Sequence, residues 1–170
     1  KLIVVDGDNT LWRGVIGEDG LSGITVDGPH WFLQEFLRKR KAEGFLLAIS
    51  SKNDAHDVAR VLEEHPDMIL RAMDFVALRV NWSPKSENIR DLCQDLKLGL
   101  ESVIFIDDNA AETAEVAASC PDVVTLTLPT DLKRIPGILT QSWAFDLGSP
   151  KTKEDGMRSD LYRAQVQRQD

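Results

Sequence analysis

Acids, hydroxyls and one lysine follow successive apolar runs of this chain. Asp6-Gly7-Asp8-Asn9-Thr10 comes directly after Leu2-Ile3-Val4-Val5, and Ser50-Ser51-Lys52-Asn53 comes after Phe45 to Ile49. Lys85 stands a short loop beyond Phe75 to Leu78, and Asp107-Asp108-Asn109 follows Val103 to Ile106. If these segments meet, Asp6, Asp8, Asp107 and Asp108 cannot all stay ionised unaided. Two carboxylates about 5 Å apart repel by roughly 3 kcal/mol at an effective dielectric of 20. They require a cation or protonation. Oxygen ligands with no neighbouring His or Cys select Mg²⁺ over zinc. A Mg²⁺ held by few carboxylates shares its shell with water and a substrate phosphate. Lys85 and the Ser51 hydroxyl would then serve the other phosphate oxygens, and helix starts near Asn53 and Pro84 would add backbone N–H groups. Each segment alone has a plainer use. The Asp-x-Asp can shape a turn, Asp107-Asp108-Asn109 and Ser-Lys-Asn can cap helices, and Lys85 can be a surface charge. Their joint order, each after its own apolar run, favours chemistry.

The apolar runs are the elements that must position these groups. They are short and rich in β-branched residues, so they read as strands buried on both faces, with Val123 to Leu128 as a fifth. Helical patterns alternate with them. One starts at Pro29 and places Leu33, Phe36 and Leu37 on one face before Gly44; a second starts at Asn53 as N-cap and ends before Pro66. A third runs from Ser83-Pro84 to Gly99, and a fourth from about Ala110 to Ser119. This alternation predicts an α/β fold, a Rossmann-like parallel sheet with helices on both faces. In such sheets ligands bind at the carboxyl ends of the strands, where the acids stand. Residues 12–23 carry four glycines and read as a small hairpin or flap, too short for a large cap. Trp12 and Arg13 would lie near the mouth, touching substrate or anchoring the loop. Residues 1–147 form the expected catalytic domain. Residues 148–170 form a polar tail whose last helix carries Met157, Leu161 and Ala164 as a thin apolar stripe. The chain opens at Lys1 inside an apolar run, so it reads as a segment of a longer protein.

Composition narrows the partners. Among 170 residues, 28 acidic against 20 basic side chains give a net charge of −8, which disfavours nucleic acid and anionic membrane. Hydrophobic residues make up 42%, and no apolar run approaches the ~18 residues of a membrane span. Cys93 and Cys120 make neither a disulfide framework nor a zinc set and read as core, which points to a reducing, cytoplasmic setting. His30, His56 and His65 read as surface or capping residues. Arg38-Lys39-Arg40-Lys41 reads as a solvated helix face near its C-terminus, with docking of an acidic carrier as the alternative.

The motifs resemble a known family. Asp6-Gly7-Asp8-Asn9-Thr10 resembles the D-x-D-x-T signature of the haloacid dehalogenase (HAD) superfamily of phosphotransferases; Ser51, Lys85 and Asp107-Asp108 resemble its second, third and fourth motifs. The runs from Asp8 to Gly20, Leu47 to Asn53, Asn81 to Ile89 and Phe105 to Asn109, with the tail from Thr152 to Asp155, Arg158 and Tyr162, are similar to the FkbH-like subfamily. That resemblance implies a HAD-like fold with a minimal cap. It implies an enzyme that takes 1,3-bisphosphoglycerate or a related acyl phosphate, removes phosphate, and loads a glyceryl unit onto the phosphopantetheine arm of an acyl carrier protein in a polyketide pathway. Asp6 would be the nucleophile and Asp8 the general acid and base. Asp6, Asp108 and the backbone carbonyl of Asp8 would ligate Mg²⁺, with Asp107 in support. Thr10, Ser51, Lys52, Asn53 and Lys85 would bind the phosphate or substrate. One departure bears on the acyl step: the family usually has Cys where this chain has Ser50. Ser50 would then carry the acyl group as an oxyester, or be bypassed, or stand in for an engineered-out Cys, or simply pack at the strand end. The alternatives are a small-molecule phosphatase without acyl transfer and a non-catalytic carrier-docking module.

Overall fold

The computed structural model describes residues 1–146 and 162–167. Five strands pair in parallel: β1 (Leu2–Val5), β2 (Leu46–Ser51), β3 (Ala77–Val80), β4 (Val103–Asp107) and β5 (Val124–Thr127). Their order is β3-β2-β1-β4-β5. The chain winds outward from β1 through β2 to β3, then returns to the other side of β1 for β4 and β5. The strand order therefore reverses at β1 and β4, and an open α/β sheet has its binding crevice at that place. The predicted α/β, Rossmann-like parallel sheet is what forms.

Register sorts the side chains. Val5 lies beside Ile49 and Ile106, and Val4 beside Ala48 and Phe105. Ile3, Val5, Leu47, Ile49, Ile104 and Ile106 face one apolar layer; Leu2, Val4, Leu46, Ala48, Val103 and Phe105 face the other. Residues alternate between faces because the strand period is two, and a strand covered on both sides must be apolar throughout. The first layer is closed by α2 (Gly28–Ala42) and α3 (Ala55–Glu64), through Leu33, Phe36, Leu37, Val58, Val61 and Leu62. The second is closed by α4 (Lys85–Leu96) and α5 (Ala110–Ser119), through Ile89, Leu92, Leu96 and Val116. Cys93 and Cys120 lie in this second layer, as expected of core thiols. Burial of each such side chain contributes about 1.5–3 kcal/mol.

Several expectations are corrected. Residues 12–23 do not form a hairpin. Arg13 makes one antiparallel bridge to Thr25, and Ile16–Gly23 is a short helix, α1, broken at Gly20. The Asp19 carboxylate accepts from Val15 N at 2.8 Å, which ties down the helix start that the glycines alone would leave loose. The N-cap of α3 is Asp54, not Asn53, whose side chain is used elsewhere. A further helix, α6 (Ile135–Gln141), escaped the sequence reading. His30 and His65 are buried rather than superficial, and His65 caps the C-terminus of α3 as the capping alternative had it: His30 Nδ1 pairs with Asp27 at 2.8 Å, and His65 Nε2 lies 3.3 Å from Ile24 O. In the basic run, Arg38, Arg40 and Lys41 pair with Glu35, Glu43 and Asp74. In the tail, residues 162–166 are helical, and Val166 and Tyr162 pack on the α4 side. Met157, Leu161 and the Thr152 run lie outside the described residues. Among the described residues no helix is long and apolar enough to cross a membrane.

Candidate active site

Asp6 continues the β1 ladder: its N–H donates to Ile106 O at 3.0 Å. That places it beside Asp107, the last residue of β4. Both are buried, and Lys85, at the first position of α4, is buried with them. Lys85 Nζ lies 2.9 Å from Asp6 Oδ1 and 2.5 Å from Asp107 Oδ2. Asp107 Oδ1 also accepts from Asn109 N at 2.9 Å, so both its oxygens are engaged. Asp108 stands at the rim, where the Thr10 hydroxyl donates to Oδ1 at 3.1 Å and accepts from Asp108 N at 3.2 Å. Thr10, expected on the phosphate, places its hydroxyl on Asp108. One oxygen each from Asp6, Asp107 and Asp108 lies within 4.8 Å of the others.

The charges do not balance. Burial pushes the Asp6 carboxyl up to about 7; Lys85 opposes this and Asp107 adds to it. Burial, and then Asp107, pushes Asp108 up to about 6. For Lys85, burial works against the ammonium, but Asp6 and Asp107 outweigh it and the net shift is upward. A divalent cation between Asp6 and Asp108 would supply the missing positive charge, and an all-oxygen donor set fits a hard ion.

Asp8 is held in another way. Oδ1 accepts from Trp12 Nε1 at 3.0 Å and from Ile16 N at 2.9 Å; Oδ2 accepts from Asn53 Nδ2 at 2.6 Å. Trp12 is fully buried, so it anchors the flap rather than touching substrate. Its ring passes so close to Gly7 that a Cβ there would sit 2.8 Å from Cη2. Asn53 also donates to Ser51 Oγ at 3.2 Å. It belongs to the site by holding Asp8 and Ser51, not as a helix cap.

Asp6, Asp8, Lys85, Asp107 and Asp108 line a cleft of about 180 Å³ with Ser51, Lys52 and Glu112. Lys52 Nζ pairs with Glu112 Oε1 at 2.8 Å, while Glu112 Oε2 is buried with no partner among the described residues. Glu112 was missed in the sequence. Its signal was an acid in the first turn of the helix after Asp107-Asp108, which reads as a macrodipole partner. The structure does not bring Ser50 to the cleft. It is fully buried on the α4 face, where Asn88 Nδ2 donates to its hydroxyl at 3.3 Å. Asn88 pairs amide to amide with Asn81, at 3.0 Å in both directions, which braces the turn that delivers Lys85. A larger groove of about 520 Å³ between α2 and α6 has Trp31, Phe36 and Phe145 in its walls, with Glu35, Lys39, Arg40 and Asp146 as its charged groups.

No family model and no curated protein matches the chain. Solved structures do. The N-terminal part of the protein BF1531 from Bacteroides fragilis, described as containing a phosphatase domain and complexed with Mg, superposes with a TM-score of 0.84 at 32% identity. The match covers 88% of this chain and 41% of that one, so this chain spans about two fifths of that structure. A HAD family enzyme, bt-2542 from Bacteroides thetaiotaomicron, in complex with magnesium and inorganic phosphate, gives a TM-score of 0.58 at 13% identity, covering 77% of this chain and 95% of that one. The fold is HAD-like. Within it the acids, Ser51 and Lys85 gather at the strand reversal, and the flap is a single short helix rather than a cap domain.

Proposed function

We propose that the chain is a Mg²⁺-dependent phosphatase of the HAD type, with Asp6 as nucleophile. The observation that carries this reading is Asp6 itself: buried against Lys85, and within 4.8 Å of the Asp107 and Asp108 oxygens at the strand reversal. Bound Mg²⁺ would be held by Asp6 and Asp108, and would supply charge neutralisation and Lewis acidity toward the phosphoryl oxygens. Glu112 Oε2, buried without a partner among the described residues, could accept from water in the cleft. Ser51 and Lys85 orient the phosphoryl group. An Asp6 oxygen attacks phosphorus, and the bond from phosphorus to the leaving-group oxygen breaks. Asp8 gives that oxygen a proton, then takes one from the water that hydrolyses the aspartyl phosphate. Inorganic phosphate leaves and the Asp6 carboxylate returns.

The test is phosphate release from small phosphomonoesters and acyl phosphates, with Mg²⁺ and with chelator. The expected result is Mg²⁺-dependent release that falls by at least about 10³-fold in Asp6→Asn while the circular dichroism spectrum is unchanged. An Asp6→Asn protein within tenfold of the unmodified one overturns the assignment.

Glyceryl transfer from 1,3-bisphosphoglycerate to a carrier protein is the second reading. Its support is the sequence resemblance to FkbH-like domains and a flap small enough to leave the cleft open. Because Ser50 is buried and bonded to Asn88, the carrier thiol would have to take the acyl group directly. Incubation with holo carrier protein, then intact-mass measurement of the carrier, separates the two. A mass gain of one glyceryl unit favours transfer; phosphate release with an unchanged carrier favours the phosphatase.

A further inference from the structure

A second pocket opens beyond Asp108. It encloses roughly 140 Å³ and shares Asn9 and Asp108 with the cleft, so the two adjoin at those residues. Their linings differ. The cleft offers what a phosphate and its cation need. The second pocket has an apolar wall of Leu128, Pro129 and Leu132, with Arg13, His30 and Thr130 as its polar groups.

Asp27 organises two of those polar groups, Arg13 and His30. It is the N-cap residue of α2, yet its side chain makes no capping bond among the described residues. A cap of this kind contributes about 1 kcal/mol, and here the carboxylate is turned elsewhere. Oδ2 accepts from Arg13 Nε at 2.8 Å and lies 2.7 Å from Nη2, while Oδ1 meets His30 Nδ1 at 2.8 Å. His30 is 1% exposed, a polar side chain buried at the pocket wall. The Arg13 backbone is fixed by two bonds to Thr25, at 2.7 and 3.1 Å. A guanidinium has five N–H donors in a rigid fork; Nε and one N–H of Nη2 are turned to Asp27, which leaves the rest for a ligand.

We propose that this pocket receives the leaving-group half of the substrate, and that Arg13 selects a substrate ending in a carboxylate: a short phosphorylated organic acid. The inference rests on the phosphatase reading and deepens it. The space holds about five water-sized groups, which fits a short carbon chain and one small acid. A singly charged carboxylate costs less beside Asp108 than a doubly charged phosphate would, and it matches the planar fork of arginine.

The test uses ligands that cannot be turned over. The Mg²⁺-loaded protein is titrated calorimetrically with 3-phosphonopropionate and with propylphosphonate, which lacks the carboxylate. The acid should bind at least about tenfold more tightly, since hydrogen bonds to charged groups contribute about 1.5–3 kcal/mol. Arg13→Gln should reduce that advantage to less than about twofold, leaving propylphosphonate affinity unchanged. Equal binding of the two ligands to the unmodified protein overturns the proposal, as does an advantage that survives Arg13→Gln. Should neither phosphonate nor inorganic phosphate bind, the phosphatase reading falls and takes this one with it. If both bind equally, the phosphatase reading stands and only the pocket assignment is lost.

Discussion

Asp6 and Asp8 stand two residues apart on one loop, in opposite kinds of surroundings. Asp6 is buried among charges: Lys85 at 2.9 Å, then Asp107 and Asp108. Asp8 is held by three uncharged N–H donors from Trp12, Ile16 and Asn53. The first site is electrostatically incomplete, and burial, with Asp107 adding to it, pushes its carboxyl up to about 7. The second is complete without help. One residue type thus suits the two tasks proposed for it, because its neighbours differ. A nucleophile that shares a cation needs uncompensated charge nearby; a proton carrier needs a fixed direction.

The comparison breaks most severely at Lys85. Lys85→Met leaves Asp6 and Asp107 buried without their shared cation. Removing one partner of a buried ion pair costs about 3–5 kcal/mol, so metal-free urea unfolding should show a loss of that size. Asn53→Ala removes one of three neutral donors to Asp8 and should cost nearer 1 kcal/mol. Equal losses in the two variants would mean that charge does not distinguish the two aspartates.

A milder probe is pH. The folded pKa values of Asp6 and Asp108, about 7 and about 6, lie above the ordinary 3.8. The folded state therefore binds more protons than the unfolded state between those values. Stability of the metal-free protein should fall as pH rises from about 4 to about 7. Mg²⁺ must displace those protons at low pH and meets ionised carboxylates at high pH. Its stabilising effect should be greater by about 5 °C in Tm at pH near 8 than at pH near 5. A Tm gain independent of pH would remove Asp6 and Asp108 from the cation site.

The charged half of this comparison was legible in the sequence and the neutral half was not. Strands buried on both faces read plainly, because nothing polar interrupts Leu2–Val5 or Val103–Ile106. The acids after them followed from the rule that chemistry gathers at strand ends. What hid was anything decided by side-chain direction. The bond from Thr10 to Asp108 was not visible in the sequence, and Asn53, which looked like a cap, holds Asp8. The flap showed glycines that suggest a hairpin, while the Asp19 carboxylate closing back on Val15 made it a helix. Ser50 and Ser51 are neighbours in sequence, but a strand sends them to opposite faces, and only Ser51 reaches the cleft.

The smallest effect is expected at Trp12, and it probes the neutral half alone. Trp12→Phe keeps most of the buried ring and removes the Nε1–H that meets Asp8 at 3.0 Å, while Ile16 N and Asn53 remain as donors. The stability loss should be about 1 kcal/mol. With Asp8 as the proposed proton carrier, kcat should fall by up to about tenfold through loss of its fixed direction. The Mg²⁺ concentration giving half-maximal rate should not move, since the lost donor faces Asp8 and not the Asp6–Asp108 pair. A shift in that concentration with kcat unchanged would instead place the Asp8 carboxylate among the groups that hold the cation, and the division of labour between the two aspartates would fail.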